Sequence, residues 1–254
     1  MEATQDSRRE SERRVAEQDY GNDYLKWKSW GAGSFGALRK SEKAYFSAEV
    51  RKTGSVFEEG ASVLEIGFGN GSFLRYAQQR QWDIRGTELN AELVDIARAS
   101  GFNTTHAQDL SPFADASFDL VVAFDVLEHV PQESLRGFIL EVKRILRRGG
   151  YFIARFPNGD SPLGLSNQNG DVTHITTIGS GKARYFAAQA GMDVIFIGGE
   201  AKPILGMSAL SFIHALITVP VRKAIDLIAN AIFFPGANIP FCSSNMVMIY
   251  RKPE

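Results

Sequence analysis

The sequence predicts an α/β domain, a largely parallel sheet with helices on both faces and a ligand site along one rim. Two observations carry this. From Ala61 onward, short apolar runs alternate with amphipathic segments, the order that parallel strands joined by crossover helices require. A glycine-rich turn and a set of acidic residues also stand at the ends of the first four strand candidates, where open parallel sheets bind their ligands.

The strand candidates come in order. Residues 63–66 (VLEI) read as a buried strand, followed by a helix over 72–80. Residues 83–89 form a second strand, less apolar and therefore nearer an edge. Asn90 N-caps the next helix and Gly101 stops it. A third, weak strand spans 102–107, and FDLVVAF at 118–124 is a strong fourth. Over 132–148, Leu135, Phe138, Val142, Ile145 and Leu146 share one helix face. Lys143, Arg144, Arg147 and Arg148 crowd its last turn before Gly149 and Gly150. A fifth strand at 151–156 ends at Pro157. A helix over 181–190, a strand at 192–197 and a final strand at 246–250 complete the pattern.

Three parts follow. Residues 1–19 are almost all polar and read as a solvated tail. Residues 20–60 read as a helical and loop cap, with Tyr20, Tyr24, Trp27, Trp30, Phe35, Tyr45 and Phe46 interleaved with Gly31, Gly33 and Gly36, and a short helix at 41–51. This segment is either a lid or a layer of core. Residues 61–254 form the main domain, with a helical insertion at about 201–244. There, two apolar stretches, 204–219 and 224–234, flank Arg222 and Lys223. The insertion has three readings: a substrate cap, a homodimer interface, or a surface in peripheral contact with a membrane.

Composition narrows the function. The chain has 254 residues, 44% hydrophobic and 22% charged, enough for one large domain with an extension. A formal net charge of −1 supplies no general attraction to nucleic acid. Cys242 is the only cysteine, so no internal disulfide or cysteine-rich zinc site can form, and no metal ligands are assigned. The first residues lack the apolar core of a signal peptide, which makes a cytoplasmic setting the expectation, with the inner face of the membrane as the place of any peripheral contact. The longest apolar stretch, 204–219, is short for a membrane span and carries His214, so it reads as buried or interfacial.

The chemistry lies at the strand ends. Gly67, Gly69 and Gly71 follow the first strand as G-x-G-x-G, a spacing that lets a backbone turn sharply and approach a ligand. A dinucleotide turn wants its third glycine one position later, where Ser72 stands. Glu65 suits an ammonium group better than a diphosphate. Glu88 ends the second strand, where a carboxylate can accept from both ribose hydroxyls. Asp109 follows the third strand and can accept from an adenine amino group, and Asp125 closes the fourth. Each acid alone would read as a loop or helix-capping carboxylate; their joint placement favours a nucleoside site.

VLEIGFGNG, Glu88 in GTELN, Asp109 in AQDL, FDLVVAFDVLEHV and LRRGGYFIARFPN resemble the ordered motifs of class I S-adenosylmethionine-dependent methyltransferases. The resemblance covers about residues 61–157. It implies a Rossmann-like seven-stranded sheet, mostly parallel with the last strand antiparallel. It implies that Glu65, Gly67, Gly69, Asn70 and Gly71 hold the methionine part, Glu88 with Leu89 the ribose, and Asp109 with Leu110 the adenine. Asp125 completes the set. The flanks WKSWGAGSFGALRKSEKAYF, FPNGDSPLGLSNQNGDVTHITTIG and NMVMIYRKPE resemble methyltransferases of bacterial polysaccharide and O-antigen biosynthesis, which implies a glycan or small-molecule acceptor and a sugar hydroxyl as nucleophile.

Such a hydroxyl needs a base. His174, in the polar loop after the fifth strand, and His129, just past the fourth, are the candidates, with Asp171 three residues before His174 to orient its ring. His129 also reads as a turn residue packed under the cofactor, and His174 as a loop brace. His106 and His214 read as structural. Rival readings are a quinone, lipid or other small-molecule methyltransferase, a nucleoside-binding regulator without turnover, and a nicotinamide oxidoreductase.

Overall fold

A computed structural model describes residues 22–28, 30–202, 209–236 and 238–254. The expected polar tail, 1–19, lies outside the described residues, as do residues 203–208 of the first apolar stretch. The strands are β1 (Ser62–Ile66), β2 (Asp83–Glu88), β3 (Asn103–His106), β4 (Phe118–Phe124), β5 (Leu146–Pro157), β6 (Asp193–Gly199) and β7 (Asn245–Arg251). They form one seven-stranded sheet in the order β3-β2-β1-β4-β5-β7-β6. β1 to β5 pair in parallel, and β7 runs antiparallel between β5 and β6. The order reverses at β1 and β4, which opens a crevice above their carboxyl ends.

The helices are α1 (Asn22–Lys28), α2 (Lys40–Arg51), α3 (Ser72–Gln79), α4 (Ala91–Ala99), α5 (Gln132–Ile145), α6 (Leu165–Gln168), α7 (Ser180–Ala190) and α8 (Ala209–Phe233). Side chains alternate between faces along each strand, and the central strands are apolar on both. Val121, Ala123, Phe152 and Ala154 meet α5 and α7 through Leu135, Ile139, Val142 and Ala187. Leu120, Val122, Ile153 and Val247 meet α2 and α3 through Phe46, Val50, Phe73 and Tyr76. Each such side chain removed from water contributes about 1.5–3 kcal/mol, and this double coverage holds the strand ends in place. Within segment 20–60, α2 is therefore a layer of core and not a lid.

Two element boundaries differ from the sequence reading. The helix expected to reach Arg148 ends at Ile145: Leu146 turns extended (φ −69°, ψ 141°) and starts β5 opposite Phe118. The register then shifts between Phe118 and Leu120, and Gly149 takes φ +73°. Arg147 leaves the expected basic helix end and pairs with Asp119 at 2.7 Å. Periodicity favoured a helix here, but the neighbouring strand offers ladder hydrogen bonds that periodicity does not register.

The second difference is in the insertion. The two expected helices are one, the 25-residue α8, with Pro220 inside it. Asn230 joins it to the following loop, accepting from the Ile239 N–H at 2.8 Å and donating to the Ile239 carbonyl at 2.9 Å. Ile213, His214, Leu216, Ile217, Leu227, Ile232 and Phe233 are exposed, so the described part of the apolar stretch is not buried. Among the described residues, no helix is long and apolar enough to cross a membrane.

Candidate active site

A cavity of about 970 Å³ lies above the carboxyl ends of β1, β2, β4 and β5. It is lined by Glu65, Gly67, Gly69, Asn70, Glu88, Leu89, Asp109, Leu110 and Asp125, together with His129, Asp171 and His174. Of the catalytic and cofactor residues assigned from the sequence, Gly71 alone is not among those lining the wall. Among the described residues, none of α8 lines the cavity.

The turn after β1 is built from positive φ values of +66°, +49° and +73° at Gly67, Gly69 and Gly71, which side chains other than glycine rarely adopt. The space a Cβ would fill at each is taken by the protein itself. An added carbon would come within 2.6 Å of Val126 at Gly67, 2.8 Å of Trp30 at Gly69 and 2.5 Å of Phe35 at Gly71. The aromatic loop thus lies on the glycine turn, with the Gly36 N–H donating to the Asn70 carbonyl at 2.7 Å. Phe35 packs edge-on against Phe68 and Phe102 as core, while Trp30 also faces the cavity.

Three acids occupy the rim from β1 to β3 in different states. Glu65 is buried, and its Oε2 has no hydrogen-bond partner among the described residues. Burial pushes its carboxyl well above the usual range, against the Leu74 backbone N–H, which favours the charged form. Glu88 Oε1 accepts from the Leu89 and Asn90 N–H groups at 2.8 and 3.3 Å, and Oε2 from the Gly69 N–H at 3.2 Å. Burial raises its carboxyl too, and those donors act in the opposite sense. Asp109 is exposed. The Ser111 hydroxyl and N–H donate to its Oδ1 at 2.6 and 3.0 Å and hold its carboxyl below the usual range.

The buried orphan oxygen of Glu65 fits a cationic amine. Glu88 and Asp109 offer carboxylate acceptors on the same cavity wall. The residues present therefore suit the amine, ribose and adenine of S-adenosylmethionine.

The rim formed by β4 and β5 is more polar. Asp125, at φ +57°, binds Arg155 through both carboxylate oxygens, one at 2.8 Å. Its carboxylate is engaged by Arg155 while the residue also lines the cavity. The Ile175 and Thr176 N–H groups both donate to the Glu128 carbonyl at 2.9 Å, tying the loop after β5 to the short 3-10 turn at Leu127–His129. This tie brings the rings of His129 and His174 to 4.7 Å between centroids.

His129 Nδ1 lies 3.1 Å from the Thr173 carbonyl and 3.0 Å from its hydroxyl. Burial, aided by His174, lowers the His129 pKa to about 4. His174 Nε2 is 3.8 Å from both Glu128 Oε1 and Asp171 Oδ2. Asp171 is buried and also bonded by Thr173, with Lys28 Nζ at 2.8 Å. Burial alone would raise its carboxyl, but Lys28 and Thr173 outweigh that and hold it well below the usual range.

Sequence reading missed Glu128, Arg155, Thr173 and Lys28. Arg155 carried a signal, a charge inside the apolar run of β5, and buried arginines are almost always paired. Glu128 sat beside His129 in the run already singled out. Lys28 reaches Asp171 across 143 positions, and nothing local marks it. His106, expected to be structural, lies with Nε2 2.8 Å from the Leu89 carbonyl.

Residues 64–154 match the family described as "Methyltransferase domain". A fatty-acid O-methyltransferase of Mycolicibacterium smegmatis is 35% identical over 103 residues, 37% of this chain and 36% of that protein. A ubiquinone biosynthesis O-methyltransferase of Xanthomonas oryzae pv. oryzae is 30% identical over 99 residues, 36% of this chain and 41% of that protein. The match thus spans well under half the length of these curated relatives. The crystal structure of a SAM-dependent methyltransferase from Archaeoglobus fulgidus superposes with a TM-score of 0.60 at 20% identity, covering 83% of this chain and 94% of that one. Residues 64–154 thus match a methyltransferase domain, and the seven-stranded sheet that contains them shares the fold of that SAM-dependent methyltransferase.

Proposed function

We propose that the whole chain is an S-adenosylmethionine-dependent methyltransferase acting on an oxygen of a small-molecule acceptor. The observation that carries this is the cavity wall itself. A buried Glu65 with an unbonded oxygen shares it with Glu88 and Asp109, acids that follow successive strands. On this reading Glu65 takes the amine, the turn from Gly67 to Asn70 cradles the methionine chain, and Gly71 supports that turn from behind. Glu88 with Leu89 takes the ribose, and Asp109 with Leu110 the adenine. Asp125 acts through Arg155 to shape the floor. When bound, the cofactor supplies an electrophilic methyl on a sulfonium, whose bonding electrons stay on sulfur as the oxygen–carbon bond forms.

The residues beyond β4 and β5 serve the acceptor. His174 is the better base of the two histidines: an imidazole with a pKa of about 4, as at His129, holds a proton too weakly at neutral pH. Asp171, 3.8 Å from His174 Nε2, positions the ring. An oxygen nucleophile is supported by the names of both curated relatives, which are O-methyltransferases. Those names favour a fatty acid or a quinol, whereas the flanking motifs favour a sugar hydroxyl; all three fit an oxygen acceptor.

Labelled methyl transfer from S-adenosylmethionine into fatty acids, quinols, nucleotide sugars and lipid-linked glycans tests the acceptor. Calorimetry with S-adenosylhomocysteine and NAD tests the class. Binding of S-adenosylhomocysteine without NAD is expected, and the reverse result would overturn the reading.

A further inference from the structure

We propose that Glu128, His129 and His174 form a binding site for one divalent transition-metal cation at the floor of the cavity. One ligand atom from each residue lies within 4.8 Å of the others. Bonds of about 2.0–2.2 Å from a shared cation would draw these atoms closer together. The backbone of both segments is already tied together through the Glu128 carbonyl.

Charge points the same way. The three carboxylates on this rim are not equivalent. Asp125 is neutralised by Arg155, and Asp171 by Lys28 at 2.8 Å. Glu128 is 1% exposed, and neither of its carboxylate oxygens has a hydrogen-bond partner among the described residues. A buried carboxylate left this way is costly unless it meets a cation or holds a proton. The Arg155 charge, already paired with Asp125, also acts on it, and His174, itself a metal ligand when neutral, stands 3.8 Å from its Oε1.

The surrounding contacts resemble the supports of a ligand set. Thr173 holds His129 Nδ1 through its carbonyl and hydroxyl, and Asp171 stands beside the His174 ring. Outer contacts of this kind fix the orientation and basicity of metal-bound imidazoles. Two imidazoles and one carboxylate suit manganese, iron, cobalt or zinc, and leave coordination positions for an acceptor oxygen. The role of the cation rests on the proposed function, whereas its binding does not. An acceptor hydroxyl on such a cation loses its proton to water more readily, and its lone pair then forms the bond to the methyl carbon. The imidazoles would serve as ligands, and the base role assigned to His174 would pass to the cation.

The test uses the full chain, stripped with chelator and titrated with Co²⁺ alone. Wild type is expected to take up a single equivalent with visible d–d absorption. Glu128→Gln and His174→Ala should each weaken uptake by at least about tenfold, and Thr173→Val, which alters only an outer contact, by about tenfold. S-adenosylhomocysteine calorimetry on the same samples reports both folding and the methyltransferase reading. Absence of stoichiometric Co²⁺ in wild type that still binds S-adenosylhomocysteine would overturn the site and make Glu128 a buried neutral acid. Unaltered uptake by Glu128→Gln and His174→Ala would overturn it equally. Should those variants not fold, pulsed EPR of the wild-type Mn²⁺ form decides: coupling to imidazole nitrogen is expected, and its absence rejects the site. Co²⁺ binding without S-adenosylhomocysteine binding would instead count against the proposed function.

Discussion

The two sides of the cavity are built differently. On the side of β1, β2 and β3, each acid stands at its own strand end and is governed by backbone within a few residues or one turn away. Glu88 accepts from the Gly69, Leu89 and Asn90 N–H groups, and Asp109 from Ser111. On the side of β4 and β5, two of the three acids are paired with distant side chains. Arg155 reaches Asp125 from the next strand, and Lys28 reaches Asp171 from α1. A site made of local backbone donors can accept one fixed ligand repeatedly. A site made of side-chain pairs across the chain can be altered residue by residue, which suits the part of an enzyme that selects its acceptor. In the proposed assignment, the first side takes the cofactor and the second the acceptor.

Three substitutions would break or sharpen this contrast. The largest effect is expected from His174→Ala. Turnover should fall about a hundredfold or more, the usual contribution of a positioned proton acceptor, while S-adenosylhomocysteine affinity stays the same. Equal losses in both would dissolve the division between the two sides. Lys28→Met should come next, leaving Asp171 buried without the ammonium 2.8 Å away. Because Lys28 is partly exposed, the loss should be about 2 kcal/mol in urea unfolding, below the range for a fully buried pair. An unchanged midpoint would mean that Thr173 alone supports Asp171. The smallest effect is expected from Glu88→Ala. It removes an acceptor whose charged hydrogen bonds contribute about 1.5–3 kcal/mol each, so calorimetry should show cofactor affinity reduced by at least about tenfold. Wild-type affinity in the folded variant would remove Glu88 from the site.

Legibility in the sequence follows the same division. The turn, Glu88 and Asp109 were readable because strand ends follow from hydrophobic patterning, and function there depends on residues adjacent in the chain. The limits of β5 were not readable, because Leu146 is extended only by pairing with Phe118. α8 was read as two helices, since two apolar stretches flanking Arg222 and Lys223 suggest a break. Of the two readings of its apolar stretch, buried or interfacial, the exposed side chains exclude burial for the described part.

By itself, the sequence determined the α/β class, the sequence of the first four strands and the acids that end them. Those features arise from short-range periodicity and from the geometry of a strand entering a turn. Only the tertiary structure decided that Trp30 and Phe35 lie on the glycine turn. It alone left both Glu128 carboxylate oxygens without a hydrogen bond among the described residues while its two acidic neighbours paired with Arg155 and Lys28, and it brought His129 to His174. The physical reason is that burial and charge pairing depend on which segments pack together, and no local pattern carries that information.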